Sequence, residues 1–373
     1  MRILNIGVVT DKTQTRYNYL TGAHGAIKNI YLMDGKRVLD QLVSAAPFIG
    51  FQNQIKPNAS QMDVDKKLKC NGIAFCYNRE TPSGVAYIPA KISEWFPNCP
   101  NTPTADETTS PLGFLDLKAV FPMLRNVDFL HTSVFPDLKV VIEYDTSKSL
   151  IIGSLPNPSV VVATATPLLV VDEILNKELA DKVLREFKGV SWNCIENEKV
   201  SLAQNEDKKT WQLTGANNKT VNRMLVVKTT SGIEGSQLYR NCGSEAQVGE
   251  DFQLVINGSS LMPNAPTRPN MLMGLLTDTY GNMVAHTGSN DTGFYGAEAR
   301  FADDYNARLG ALSYFGVDVG QPITKNIQLS YSREFRTGDA VGKYHIPITM
   351  NVYYEVAKAI QKTKDGSYQI VYL

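Results

Sequence analysis

Near its C-terminal end the chain carries a segment that leaves the backbone little choice: Ile348-Thr-Met-Asn-Val-Tyr-Tyr-Glu-Val356. In an extended chain Ile348, Met350, Val352, Tyr354 and Val356 share one face, and Thr349, Asn351, Tyr353 and Glu355 the other. Strand side chains point alternately to opposite sides, so the pattern predicts a half-buried β-strand. Leu138-Lys-Val-Val-Ile-Glu-Tyr144 follows the same rule, with Leu138, Val140, Ile142 and Tyr144 on one face. Each segment comes just after a proline, Pro136 or Pro347, which fits strand entry. Each also closes a stretch of comparable length, and that predicts two β-domains in tandem. Chains built this way usually pack against copies of themselves.

A length of 373 residues agrees with two domains. Hydrophobic residues make up 43% and charged residues 20%, enough for a large core. Lys+Arg and Asp+Glu are equal at 37 each, so the formal net charge is zero. Nonspecific nucleic-acid binding over the whole surface needs a basic excess and is not expected; a local basic patch stays open. Zero net charge also removes one barrier to self-association.

The five cysteines, Cys70, Cys76, Cys99, Cys194 and Cys242, are odd in number and form no C-x-x-C pair. Reduced thiols are therefore expected, with neither a disulfide framework nor a zinc site. Sequons at Asn58, Asn218, Asn257 and Asn290 matter only in a secretory pathway. Met1–Val9 is too short and too soon polar for a signal peptide, so folding inside the cell without secretion is the expectation. The most apolar run, Val160–Val171, is too short to cross a bilayer and contains Pro167.

Along the chain, Met1–Tyr19 suggests an extended arm. Asp34-Gly35, between apolar stretches, is a hairpin signal of the kind that needs positive φ, and Asn257-Gly258 is another. A short helix is expected around Leu39–Ala46, stopping at Pro47, with a polar loop over 51–65. Short strands are expected at Gly72–Cys76 and Gly84–Ile88. Pro97–Pro111 reads as a long surface loop, and Leu115–Leu124 as beginning with a helical turn. A domain boundary falls between Gly153 and Pro167. One long helix is predicted over Asp172–Lys188, with Leu175, Leu179, Val183, Leu184 and Phe187 on its apolar face and Gly189 as its cap. Further strands are expected at Val221–Val227, Phe252–Ile256, Met271–Leu276 and Ile327–Tyr331, and a loop over Thr277–Leu309. With one strong helix, a parallel α/β fold is excluded. The expected class is mainly β: two tandem antiparallel jelly-roll sandwiches with a few short helices, divided as 1–157 (arm plus first jelly roll) and 158–373 (second jelly roll).

Catalytic signatures are missing from the sequence. It contains no P-loop, no dinucleotide-binding glycine pattern and no nucleophile elbow. His24, His131, His286 and His345 have no second histidine at metal-ligand spacing. His24 and His286 lie in glycine-rich loops and read as surface histidines; His131 and His345 flank strands and read as structural. Asp63 with Asp65, and Asp303 with Asp304, suit a hard cation but read first as solvated loops. Tyr331, Phe335, Tyr353 and Tyr354 would stack on bases or sugars in a binding protein, and otherwise belong to core or subunit interface. Met271, Met273 and Met283 read as gap-fillers. Arg333-Glu334 and the Lys139/Glu143 pair read as ordinary cross-strand or rim charges. No catalytic, cofactor or metal residue is assigned, and no enzymatic activity is expected.

Several phrases carry a resemblance. They are Ile27-Lys-Asn-Ile-Tyr-Leu-Met-Asp-Gly35 with Val38-Leu-Asp-Gln-Leu42, and Leu115–Leu124. In the second half they are Phe252-Gln-Leu-Val-Ile-Asn-Gly258 and Leu275-Leu-Thr-Asp-Thr-Tyr-Gly281. With the tandem β layout and the single helix early in the second half, the chain resembles the double-jelly-roll major capsid proteins. That family spans tailless bacteriophages, virophages, Polinton-like elements, adintovirus-like agents and, enlarged, adenovirus hexons. The likeness covers most of the chain and rests on layout more than on any short motif. It implies homotrimers whose six jelly rolls form a pseudo-hexameric block tiling an icosahedral virion shell. The partners it implies are further copies, neighbouring capsomers and minor capsid or penton proteins, with no specific nucleic acid and no cofactor. The position of the Met1–Tyr19 arm and its mixed character, with Arg2, Lys12 and Arg16, suggest that in such a shell it lies on the inner side or clasps a neighbour.

Two other classes compete. A carbohydrate-binding sandwich, a lectin or receptor-binding module, would build its site from the loops at Pro97–Pro111 and Thr277–Leu309. A β-rich hydrolase would need a pair of carboxylates, and nothing in the sequence marks which would pair.

Overall fold

A computed structural model of the chain describes residues 1–6, 8–9, 22–55, 76–81, 84–89, 113–127, 129–144, 163–164, 166–203, 206–230, 251–262, 269–280, 314–333, 347–364 and 367–373. The first half runs β1 (Arg2–Ile6), β2 (Val8–Val9), a 3-10 turn at Gly22–Ala26, β3 (Ile27–Asp34), β4 (Arg37–Val43) and α1 (Ala45–Ile55). It continues with β5 (Cys76–Thr81), β6 (Gly84–Pro89), β7 (Gly113–Asp116), α2 (Leu117–Val120), α3 (Met123–Asn126), β8 (Leu138–Tyr144), β9 (Ala163–Thr164) and β10 (Leu168–Val170). Its larger sheets have the orders β10-β1-β7 and β4-β3-β8, all antiparallel.

The second half runs α4 (Lys177–Glu186), β11 (Gly189–Leu202), β12 (Lys208–Leu213), β13 (Thr220–Thr230), β14 (Asp251–Ile256) and β15 (Ser259–Ser260). After these come α5 (Pro269–Tyr280), β16 (Tyr314–Pro322), β17 (Ile327–Ser332), β18 (Ile348–Lys362) and β19 (Tyr368–Tyr372). One sheet has the order β11-β18-β13-β16, with β19 added beside β18; the other has the order β12-β17-β14-β15.

These eight core strands obey one geometric rule. Leaving out β19, the first strand pairs with the last, the second with the seventh, the third with the sixth and the fourth with the fifth. That is one long antiparallel ribbon closed by the Asn257-Gly258 turn. Rolling the ribbon on itself adds two further pairings, β13 with β18 and β14 with β17. The result is two facing sheets around an apolar interior, the jelly-roll solution to the problem of exposed strand edges. Asn257 and Gly258 have φ of 54° and 89°, as the two-residue turn expected there requires.

Strand β18 departs from the half-buried expectation. Its even residues Ile348, Met350, Val352, Tyr354 and Val356 enter the interior of the rolled ribbon, together with Phe252, Leu254, Phe315 and Leu329. The opposite face is covered as well. Tyr353 lies in a second core with Ile30, Leu32, Leu39, Leu42, Phe48 and Phe51 of the first half, and with Leu225, Val227 and Tyr314 of the same sheet. The sheet of β18 is thus sandwiched between two layers. Strand β11 spans both interiors: Trp192 and Cys194 sit in the first-half core, and Leu202 in that of the ribbon.

Several local expectations shift. The hairpin at Asp34-Gly35 is present, but its loop is Gly35-Lys36, because Asp34 pairs with Arg37 and only Gly35 has positive φ. Arg37–Val43 is strand rather than helix. The helix begins at Ala45, so Pro47 lies in its first turn, where a missing N–H costs nothing. Cys76–Thr81 pairs with Gly84–Pro89, which places the first of those strands later than expected. Met271–Leu276 lies in α5 rather than in a strand: a continuous apolar run of Met and Leu has no periodicity to separate the two, and these are good helix formers.

The expected arm begins as part of its own domain. Arg2–Ile6 is the middle strand of its sheet, and a bulge between Ile3 and Ile6 turns both buried side chains to the core. The loops expected at Pro97–Pro111 and over most of Thr277–Leu309 lie outside the described residues, as do Asp63, Asp65, Asp303, Asp304, His286, His345, Met283 and Phe335.

Candidate assembly surface

Those side chains weighed for chemistry that fall among the described residues have structural placements. His24 is buried, not a surface residue, and its Nε2 lies 2.8 Å from the carbonyl oxygen of Phe114. His131 caps a turn, its Nδ1 accepting from the backbone N–H of Ser133 at 3.1 Å. Tyr331, Tyr353 and Tyr354 are fully buried. Arg333, expected as a cross-strand or rim charge, is buried, with Nε donating to the carbonyl of Glu206 at 3.0 Å. Among the described residues no three His, Cys, Asp or Glu side chains converge to hold a metal ion, and no helix is long and apolar enough to cross a membrane.

A polar seam runs through the junction of the two halves. Asp40, on β4, is fully buried; it accepts from the backbone N–H of Met123 at 2.8 Å and of Gln41 at 2.9 Å. Burial raises its pKa from 3.8 to about 6, against the opposing pull of those two donors and of Lys358. Burial, aided by the Asp40 carboxylate, pushes the neighbouring Cys194 thiol well above its ordinary value, so the sulfur stays protonated and unreactive at neutral pH. Lys358, also buried, donates to the carbonyl of Val38 at 3.4 Å and lies 5.9 Å from the Trp192 ring centroid. Asp40, Cys194 and Lys358 are thus buried together, with Lys358 of the second half bonded to Val38 of the first.

The outer surface holds the unexplained feature. Among the described residues β10 is an edge strand of its sheet, and it leaves Leu168, Leu169 and Val170 exposed, with Leu168 and Leu169 above one half. Val171 continues the exposed run, and Leu175 is 90% exposed. Helix α4 starts five residues later than expected, behind Asn176, whose side chain accepts from the N–H of Leu179 at 3.1 Å. It ends at Glu186, and Phe187, extended, turns the chain into β11. Gly189 is therefore no helix cap. Its φ of 137° lets the backbone pass Ile360, whose carbonyl oxygen would lie 2.3 Å from a Cβ at this position.

The apolar face expected on this helix divides. Leu184 and Phe187 pack on the first-half core, Phe187 against Phe135 and Tyr368, whereas Leu179 is exposed. Beside the helix lies a groove of about 650 Å³ lined by Leu130, Phe129, Val171, Ile174, Ala180 and Val183, among others. Sequence reasoning treated Leu175 and Leu179 as core and missed this ledge. The one signal pointing outward was the charge on every side of them. A run of exposed apolar side chains of this kind makes the segment a candidate docking surface.

No family model and no curated protein sequence matches the chain. Among solved structures it is similar to the Faustovirus major capsid protein, with a TM-score of 0.52 at 8% identity, over 93% of this chain and 73% of that one. It is also similar to the mavirus major capsid protein (TM-score 0.48, 11% identity, 100% of this chain and 82% of that one). A third likeness is to the PBCV-1 virus capsid (TM-score 0.45, 7% identity, 100% and 88%). Of these three the Faustovirus likeness has the highest TM-score; at its low identity it is a likeness of fold. Together with the rolled ribbon it establishes the fold class expected from the sequence, mainly β with jelly-roll sandwiches in tandem.

Proposed function

We propose that this chain is a structural shell protein, a major capsid protein whose homotrimers present a pseudo-hexameric outline and tile an icosahedral virion shell. The observation that carries the reading is the shared sheet. With β11, β13 and β18 contributing side chains to both buried clusters, the two halves share one sheet between two cores. Such an arrangement suits lateral packing more than turnover. The Faustovirus likeness supports the same reading, since that protein is named as a major capsid protein.

In this reading the division is 1–157 for the first jelly roll with its N-terminal segment, and 158–373 for the second. The partners are sister copies, neighbouring capsomers and minor capsid or penton proteins. The site of action is the virion, after folding inside the host cell without secretion, and the chain is not an enzyme. The test is size-exclusion chromatography with light scattering, followed by negative-stain electron microscopy. A stable trimer with a pseudo-hexagonal outline is expected. A monomer at every concentration would overturn the proposal.

A further inference from the structure

We infer that the seam between the two halves is a proton-controlled latch. Asp40 of the first half, buried with Lys358 and Cys194 of the second, keeps the seam closed when neutral and lets it part when ionised. The latch belongs to the chain itself and holds whether or not the shell reading does.

The carboxylate sits where a charge is hard to keep. Asp40 is fully buried and accepts from two backbone N–H groups, those of Met123 and Gln41. Its partner across the β3–β4 register is Leu32, also buried and apolar. The ionisable groups that act on it come from the second half: the buried thiol of Cys194 on β11 and the ammonium of Lys358 on β18. That ammonium is shared. Lys358 donates to the Val38 carbonyl at 3.4 Å and lies 5.9 Å from the Trp192 ring centroid and 5.5 Å from that of Tyr372 on β19. Behind them Tyr372 donates to Glu196 at 2.7 Å, and Glu196 pairs with Lys219 at 3.0 Å. On α3, which supplies the Met123 N–H, Arg125 is exposed and donates to the carbonyls of Lys118 and Ala119. Lys358 therefore offsets the Asp40 charge only in part. Burial outweighs it, in keeping with a folded pKa of about 6 against 3.8 for the hydrated group.

A seam that parts returns the carboxylate to water, where it ionises at its ordinary value. The closed seam thus holds the proton more tightly than the open one, so acid favours closure. Below the ordinary value Asp40 is neutral in both states and opening is hardest. As pH rises through both pKa values, opening becomes about a hundredfold easier. Glu355 on β18, half-buried among Arg223, Arg125 and Asp318, is also raised by burial and adds in the same direction. A comparison of variants isolates Asp40 from it.

Cys194 reports the opening, because it shares the seam and is fully buried. The experiment treats the full chain with dithiodipyridine, a disulfide that reacts with thiols even in acid, from about pH 4.5 to about pH 7.5. Mass spectrometry follows the peptide that contains Cys194. Dividing each rate by that of the urea-unfolded chain at the same pH removes the thiol's own ionisation. The wild type should lose protection more than about tenfold across this range, and Asp40→Asn should keep most of it. Lys358→Met removes the opposing charge and should carry the loss to higher pH, whereas a merely structural role would lower protection equally at every pH. This second variant decides the matter if Asp40→Asn does not fold.

Equal pH profiles for the wild type and Asp40→Asn would overturn the latch, as would a profile unmoved in shape by Lys358→Met. Urea denaturation at each pH supplies the last check. If Cys194 is labelled only as often as the whole chain unfolds, the seam does not part by itself and the latch is overturned too.

Discussion

The hydroxyl of Tyr353 donates a 2.6 Å hydrogen bond to the carbonyl of Ser44, 309 residues away in sequence. Its ring lies 5.0 Å from that of Phe48, centroid to centroid. One side chain thus ties the last long strand to the start of α1, across the boundary between the halves. It is fully buried, so no water can replace the bond once the donor is removed. Tyr353→Phe should cost about 1–2 kcal/mol, the penalty of leaving the Ser44 carbonyl unpaired. Tyr353→Ala should cost about 3–5 kcal/mol through the cavity it opens. Urea denaturation of the two variants checks both size and order. Equal losses would place the stabilisation in the hydroxyl rather than the ring.

Asp40 should make stability depend on pH in an unusual direction. Its pKa is raised from 3.8 to about 6 in the folded chain, so the folded state holds the proton more tightly than the unfolded state. The associated stability is fully present below the unfolded value and is lost as pH rises through the folded one. At about 1.4 kcal/mol per pKa unit, the loss is up to about 3 kcal/mol between pH 4 and pH 7. Asp40→Asn, which cannot ionise, removes this slope. The thermal midpoint of the wild type minus that of the variant should therefore fall between pH 4 and pH 7. A flat difference would show that Asp40 titrates normally.

Two glycines with positive φ separate strain from collision. Gly258 has φ 89°, and a Cβ added there would meet no heavy atom within 4 Å. Gly258→Ala should therefore cost only the left-handed backbone, about 1 kcal/mol. Gly189 has φ 137° and the Ile360 carbonyl oxygen at 2.3 Å from the place of its missing Cβ, a backbone atom that cannot swing away. Gly189→Ala should cost clearly more, about 2–4 kcal/mol, and should loosen the pairing of β11 with β18. Chemical denaturation gives the ranking, and amide exchange along β11 gives the location.

Leu175 offers the converse case, a large apolar side chain whose removal should not harm the fold. At 90% exposure, Leu175→Ser should move stability by no more than about 0.5 kcal/mol. The same change should weaken association between copies. A loss of thermal stability without any change in oligomer size would mean that the residue is covered within its own chain.

Much of the fold was legible, and the missed parts have a common cause. Leu138–Tyr144 is a strand with the expected bounds, and the alternation at Ile348–Val356 placed every even residue on the face it occupies. The Asn257-Gly258 turn was legible because only a few residues tolerate its backbone. Strand β11 was not: Asn193, Glu196, Asn197, Glu198 and Lys199 give it no apolar rhythm. It is a strand because all 14 of its residues pair with β18, a partner far along the chain. The candidate surface was hidden for a related reason, since Leu175 and Leu179 have the spacing of a core-facing helix.

By itself, then, the sequence determined which side chains share a face, where the chain must turn, and that no catalytic motif is written in it. Periodicity is a local property of the backbone, set by the geometry of strand and helix. Only the tertiary structure decided what covers each face: that both sides of β18 are buried, that β11 joins two cores, and that Leu179 on α4 and Leu175 just before it look outward while Leu184 packs inward. Burial depends on partners brought together from hundreds of residues apart, and the pattern of one segment carries no record of what will lie against it.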